Sequence, residues 1–454
     1  MLTHLPLTVA VALALLLAPV GARQQTGTDV SVPYTMFTLP NGLTVILHED
    51  HSVPQIAVNV WYHVGSARER PGRTGFAHLF EHLLFEGSAH VREGDFDRLL
   101  EAAGGSNNGS TTEDRTNYFE TVPSNALDLA LFLESDRMGY LLDVVTPALV
   151  DGQRDVVRNE RRQVIENAPY GKGLVRLTEL LYPKDHPYHW PVIGYMEDLG
   201  AATHEDVIEF YQQYYGPGNA SLVLAGDIDP AHARQRVEHW FRDVPAGARV
   251  RPIDAPPAEL TTIVAERMTD QVQLPRLFLA WLTPALFHPG DAELDVLGRV
   301  LSAGRNSRLY KRLVYDLELA QHVSAGQYSN QLSSLYLIDV TARPSAEEAP
   351  EALLTRIMAI VDEELMTLRS APPDEREMAR AQNGIEASFV GGMETVDSKA
   401  DQLNAYYAAT GNPDYFGEDL ARYRALQPSD IQAAVRRWLP ADRRVELSVM
   451  PAEN

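Results

Sequence analysis

A chain of 454 residues with 45% hydrophobic residues, 30 Gly and 29 Pro has the composition of a folded globular protein and is too long for a single core, so two or more domains are expected. A formal net charge of −23, from 39 Lys and Arg against 62 Asp and Glu, argues against a nucleic-acid binder, because phosphate contacts need concentrated Lys and Arg. With no Cys there is no disulfide framework, thiol chemistry or lipoprotein attachment site, and metal ligands are restricted to His and carboxylates.

In chain order, an apolar run from Thr8 to Ala18 precedes Pro19 and the small residues Val20 and Ala22. This predicts a secretory signal over 1–22, with a retained N-terminal anchor as the alternative, since the first seven residues hold no Lys or Arg. A cleaved signal implies a periplasmic or secreted protein without stable membrane insertion. Gly42–His48 and Gln55–His63 then read as strands, and helical spacing begins at Gly75 and lasts to about Glu86. A third strand is predicted at Arg115–Val122, helices at Leu127–Leu142, Pro147–Asn167 and Thr203–Tyr215, and a strand at Ala220–Ala225.

The second half repeats this order. Tyr336–Thr341 echoes Tyr118–Val122, each ahead of a long helix, while Pro428–Ile431, Trp438 and Val445–Val449 echo His204–Val207, Tyr214 and Ser221–Leu224, at offsets of 218 to 224 residues. Two similar α+β halves over 23–244 and 261–454 are expected, joined by a Pro- and Gly-containing linker over 245–260. The plainer alternative is that such patterns recur in any α+β protein.

The chemistry is concentrated in His78-Leu-Phe-Glu-His82. At about 100° per residue, the two imidazoles lie about 40° apart on a helix, with Glu81 about 60° to the other side of His78. Two imidazoles one turn apart can grip one zinc ion, and the adjacent carboxylate can take a proton from water at the metal. Phe76, Leu79, Phe80, Leu83 and Leu84 would bury the rest of the helix. Left to itself, the pair could also be two ordinary solvated or hydrogen-bonded histidines.

The H-x-x-E-H string is the inverzincin signature. Together with Gly75-Phe-Ala-His-Leu-Phe-Glu-His-Leu-Leu-Phe-Glu-Gly87 and Gly104-Gly-Ser-Asn-Asn-Gly-Ser-Thr-Thr-Glu-Asp-Arg-Thr-Asn-Tyr118, it resembles the pitrilysin-type (M16) zinc metallopeptidases over roughly the whole mature chain. The resemblance implies that each half is an antiparallel-rich mixed sheet packed by helices, and that the activity is hydrolysis of oligopeptides or unfolded polypeptide segments with one Zn²⁺ per chain. It implies Glu81 as general base and His78 and His82 as ligands. A catalytic zinc needs a third protein ligand, and Gln153-Arg-Asp-Val-Val-Arg-Asn-Glu160 implies Glu160, which taken alone would read as part of a solvated charged face with Arg158, Arg161 and Arg162. Gln153 stands where many relatives carry a supporting Glu; it can hydrogen-bond but adds no charge. Asn107, Asn108, Thr111 and Thr112 correspond to the family's substrate-pairing strand edge, although the stretch also reads as a Gly/Asn-rich turn.

Relatives that work alone carry an Arg and a Tyr in the second half to hold substrate and developing negative charge. Aligned on Ser307-Arg-Leu-Tyr310 and Leu319-Ala320, those positions here are Val314 and Gln321, with Arg312, Tyr315 and His322 close by. The resemblance therefore points to the zinc-bearing subunit of a two-chain enzyme, completed by a homologous subunit carrying the Arg/Tyr pair or by a homodimer. A non-catalytic peptide-binding or scaffold subunit of the same fold is the alternative, and metal storage would need a closed ligand set that is not visible.

Overall fold

The computed structural model describes residues 30–452; the predicted signal over 1–22 lies outside them. Two mixed sheets organise the chain. The first has the order β1-β2-β6-β3-β5-β4, with β1 Thr35–Thr38, β2 Thr44–Glu49, β3 Gln55–Tyr62, β4 Ser106–Thr111, β5 Thr116–Pro123 and β6 Ala220–Gly226. The second runs β7-β11-β8-β10-β9, with β7 Val264–Asp270, β8 Arg276–Thr283, β9 Ala320–Tyr328, β10 Ser334–Ala342 and β11 Val445–Pro451.

The repeat is therefore topological as well as sequential. In each sheet the last strand pairs in parallel with the first of the repeat, β6 with β2 and β11 with β7, and antiparallel with the second, β3 or β8. The remaining two strands extend the sheet as an antiparallel hairpin, β5–β4 or β10–β9. The first sheet adds only β1. The predicted helices are present at Phe76–Leu83, Leu127–Tyr140, Pro147–Arg161 and His204–Tyr214; the third ends in a π-helical turn at Arg162–Glu166. No regular element occupies 242–263, the region of the predicted linker.

Strands β3 and β6 are buried almost throughout, as expected where both sheet faces are covered. On one face Val45, Val58, Val60, Tyr62, Leu222 and Leu224 join the first core, together with Phe76, Leu79, Phe80 and Leu83. The opposite face carries Asn59, Trp61, Asn117 and Ser221, and there helix Val396–Thr410, from the second half, packs on β3 and β6. Its fully buried Asn404 donates to the Asn59 carbonyl at 3.0 Å and accepts from Ser221 Oγ at 2.7 Å. The exchange is reciprocal: helix Gly171–Leu181 of the first half packs on β7, β8 and β11. A Cβ on its Gly173 would meet Val449 at 3.0 Å, so glycine permits the close approach.

Candidate metal centre

Helix Phe76–Leu83 is seated at its start. Gly75 has φ 87° and its backbone abuts Gly194, φ 78°, so closely that a Cβ on Gly194 would fall 2.5 Å from Gly75 Cα. The buried Glu69 carboxylate accepts from Gly75 N and Ala77 N, both at 2.8 Å, satisfying helix-terminal donors where negative charge is favourable. Phe76, Ala77, Leu79, Phe80 and Leu83 are buried, which leaves His78, Glu81 and His82 on the remaining face.

The third group arrives on helix Pro147–Arg161, begun by Thr146, whose hydroxyl accepts from Leu149 N, and by Pro147 in the first turn. Arg161, read from sequence as part of a solvated charge run, is buried; it donates from Nε to the Gly194 carbonyl at 2.7 Å and pairs with Glu166. Its neighbour Glu160 consequently faces the two imidazoles: Oε2 is 3.1 Å from His82 Nε2 and Oε1 is 3.7 Å from His78 Nε2. The imidazole rings lie edge to face, 4.9 Å apart.

One ligand atom from each of His78, His82 and Glu160 lies within 4.8 Å of the others. His78 Nδ1 is buried without a hydrogen-bond partner, so Nε2 is the atom turned to the cluster. Burial lowers the His78 pKa against the opposing pull of Glu160 and Glu81, which favours the neutral imidazole that ligates metal. The hydrogen bond with His82 holds the Glu160 carboxyl below its usual range. Two neutral imidazoles and one carboxylate fit zinc with a position left open. Gln153, half-buried on the Glu160 helix, bonds to none of the three.

Residues 106–111 form edge strand β4, bonded on one side to β5, so the turn alternative does not hold for them. Thr112 lies beyond the strand, where its hydroxyl accepts from Asp114 N and Arg115 N in the hairpin turn. Asn107 donates to Asp97 at 2.8 Å, and Asn108 Oδ1 accepts from Gly109 N. Thr111 bonds Glu81 directly: Oγ1 donates to Oε2 at 2.6 Å. A Cβ on Gly109 would stand 3.2 Å from Glu81 Cγ, so glycine lets strand and helix meet. Sequence reasoning did not find the Glu69 cap, although Glu69 lies only six residues before Gly75, nor the Thr111–Glu81 bond, which depends on packing between segments 30 residues apart.

In the second half, Val314 packs against the core and Gln321 is exposed on β9. Arg312 is committed to Glu363 and Glu364, whereas Tyr315 is 73% exposed and His322 also faces outward.

One of the two halves thus carries a His-His-Glu cluster with the Glu81 carboxylate, bonded by Thr111, beside it. Residues 44–176 match the family described as Insulinase (Peptidase family M16), and residues 201–385 match Peptidase M16 inactive domain. The chain belongs to the M16 peptidase family. Zinc protease PqqE of Helicobacter pylori is 30% identical over 365 residues, 79% of this chain and 80% of that protein. An uncharacterized zinc protease of Streptomyces coelicolor is 26% identical over 427 residues, 91% of this chain and 88% of its own length. Among solved structures, a protease from Helicobacter pylori matches with a TM-score of 0.84 at 26% identity, covering 92% of this chain and 100% of that one. The periplasmic protease PqqL from Escherichia coli matches at 0.75 and 16% identity, over 93% of this chain and 48% of that one.

Proposed function

We propose that the protein is a zinc-dependent endopeptidase that hydrolyses oligopeptides or unfolded polypeptide segments, acting as the catalytic subunit of a two-chain enzyme in the periplasm or outside the cell. The observation that carries this reading is the convergence of His78, His82 and Glu160 with Glu81 alongside. A zinc ion held by the three ligands would lower the pKa of a water molecule toward about 7 and polarise the substrate carbonyl. Glu81 takes the proton from the attacking water and returns it to the leaving amine nitrogen. The open edge of β4 offers backbone groups to an extended peptide, with Asn107 and Asn108 along it, and such pairing tolerates many sequences. A scaffold role would have no need for Glu81 beside a complete ligand set.

Support for a partner comes from the second half. Val314 has no polar group for a developing negative charge, Gln321 offers a neutral amide in place of an Arg or Tyr, and Arg312 is already paired with two glutamates. The test is hydrolysis of an unstructured fluorogenic peptide by the purified chain, with and without chelator, alone and with a homologous subunit bearing the Arg/Tyr pair. Chelator-sensitive cleavage, strongest with the partner, is expected. No cleavage under either condition would refute the enzyme reading.

A further inference from the structure

We propose that Thr111 is a positioning residue for Glu81, not a substrate contact, and that its seat is held by Asp401 from the other half of the chain. The inference rests on the reading of Glu81 as the base. A hydroxyl has one proton to give, and Thr111 gives it to Glu81 Oε2 at 2.6 Å, the short distance of a bond to a carboxylate. Among the described residues the hydrogen bond to the Glu81 carboxylate is taken by Oε2, so Oε1 is the oxygen left to take and return a proton. Threonine suits this task because its branched Cβ restricts χ1 and so holds the hydroxyl in one direction.

Strand alternation separates the two roles of this segment. Gly109 and Thr111 face helix Phe76–Leu83, while Ser110 between them faces the other way. There Ser110 Oγ donates to Asn117 Oδ1 at 2.6 Å, and Arg115 Nη1 donates to the Ser110 carbonyl at 2.8 Å and to its hydroxyl at 2.6 Å. Arg115 in turn lies over the Trp61 ring, 5.2 Å from its centroid. The anchor for this layer is Asp401 on helix Val396–Thr410: one carboxylate oxygen accepts from Trp61 Nε1 at 3.1 Å, Asn117 Nδ2 at 3.2 Å and Asn59 Nδ2 at 3.3 Å. Hydrogen bonds thus run from Asp401 through Asn117 to Ser110, and the backbone of β4 carries that anchor to the adjacent Thr111, which bonds the base. Because β4 is also the strand whose open edge faces a peptide, substrate pairing and alignment of Glu81 share one rigid element.

The test compares Thr111→Val, which keeps the shape and removes the donor, with Thr111→Ser, which keeps the donor. In zinc-loaded protein, with the partner subunit where turnover requires it, T111V should lower kcat about tenfold or more at unchanged KM, zinc content and Tm, and T111S should stay within about threefold of wild type. Asp401→Ala, which removes the acceptor shared by Trp61, Asn117 and Asn59, should lower kcat in wild type but far less in the T111V background, since Asp401 acts on the base only through the strand that carries Thr111. Wild-type kcat in T111V, or a raised KM with kcat intact, overturns the proposal; if T111V does not fold, Thr111→Ala carries the same two outcomes. Crystal structures of zinc-loaded wild type and T111V supply a readout independent of turnover: the Glu81 carboxylate should shift, and an unmoved carboxylate also overturns the proposal. A wild type that cleaves nothing while Glu81 shifts in T111V would instead sink the peptidase reading alone.

Discussion

Glu160 Oε2 lies 3.1 Å from His82 Nε2 across 78 residues of sequence, and it is held there by its neighbour Arg161 on the Gly194 carbonyl. Because Gly194 abuts Gly75 at the start of the motif helix, one backbone contact sets all three ligands in register. His82→Ala is expected to lose zinc and activity together, and Arg161→Ala to weaken zinc binding by about tenfold with the ligands intact. Zinc content by atomic absorption after dialysis decides both; an H82A protein as metal-rich as wild type would mean the ligand assignment is wrong.

Glu81 is bonded to Thr111 and not to the ligand cluster. Glu81→Gln should therefore retain zinc while turnover falls by about 10² to 10⁴, the range for removal of a general base. Substantial turnover by zinc-loaded E81Q would remove Glu81 from that role.

If the second half lacks its charge-holding pair, supplying it should matter. Val314→Arg with Gln321→Tyr is expected to raise basal peptidase activity of the chain alone, by up to the ~10² to 10³ associated with one oxyanion donor, provided the two halves of this chain, or of a homodimer, can face each other. Full activity in the unmodified, partner-free protein would instead assign the role to another group, such as Tyr315 or His322.

Asn404 joins the halves through Ser221 and Asn59. Truncation to Ala strands a buried hydroxyl and narrows the bonding of a buried carbonyl, at a cost of about 2 kcal/mol. Urea unfolding measures it, and a change below about 0.5 kcal/mol would show that this contact does not hold the halves together.

Asp295 gives a pH signature. Burial, opposed by the hydrogen bond from Tyr423 and reinforced by Asp291 and Asp419, pushes its carboxyl up to about 7. The folded state therefore holds a proton that the unfolded chain releases near pH 3.9. Its contribution is fully present below pH 3.9 and is lost as pH rises toward 7. Asp295→Asn, which still accepts from Tyr423, should be more stable than wild type by up to about 4 kcal/mol at pH 8 and indistinguishable at pH 4. Parallel stability curves for the two proteins across that range would rule this out.

The repeated order of strands, the helix holding His78, Glu81 and His82, and the absence of Arg and Tyr at the aligned positions were all determined by local sequence, because periodicity and residue identity are short-range properties. The edge strand bearing Asn107, Asn108 and Thr111 was legible only through the family resemblance, since the stretch by itself also reads as a Gly/Asn-rich turn. Glu160 was likewise reached only through that resemblance: from the residues alone it reads as part of a charged helix face, and what turns it to the imidazoles is the capture of its neighbour Arg161 by the Gly194 carbonyl. The exchange of helices between the halves was equally invisible: nothing local marks Val396–Thr410 as a helix of the other sheet, where Asn404 is fully buried and Asp401 partly so, each met by hydrogen bonds with Asn59, Asn117 or Ser221. The orientation of Glu81 likewise belongs to tertiary structure, because the hydroxyl that fixes it comes from a strand 30 residues away. Partners at that separation are chosen by packing geometry, which no local pattern encodes.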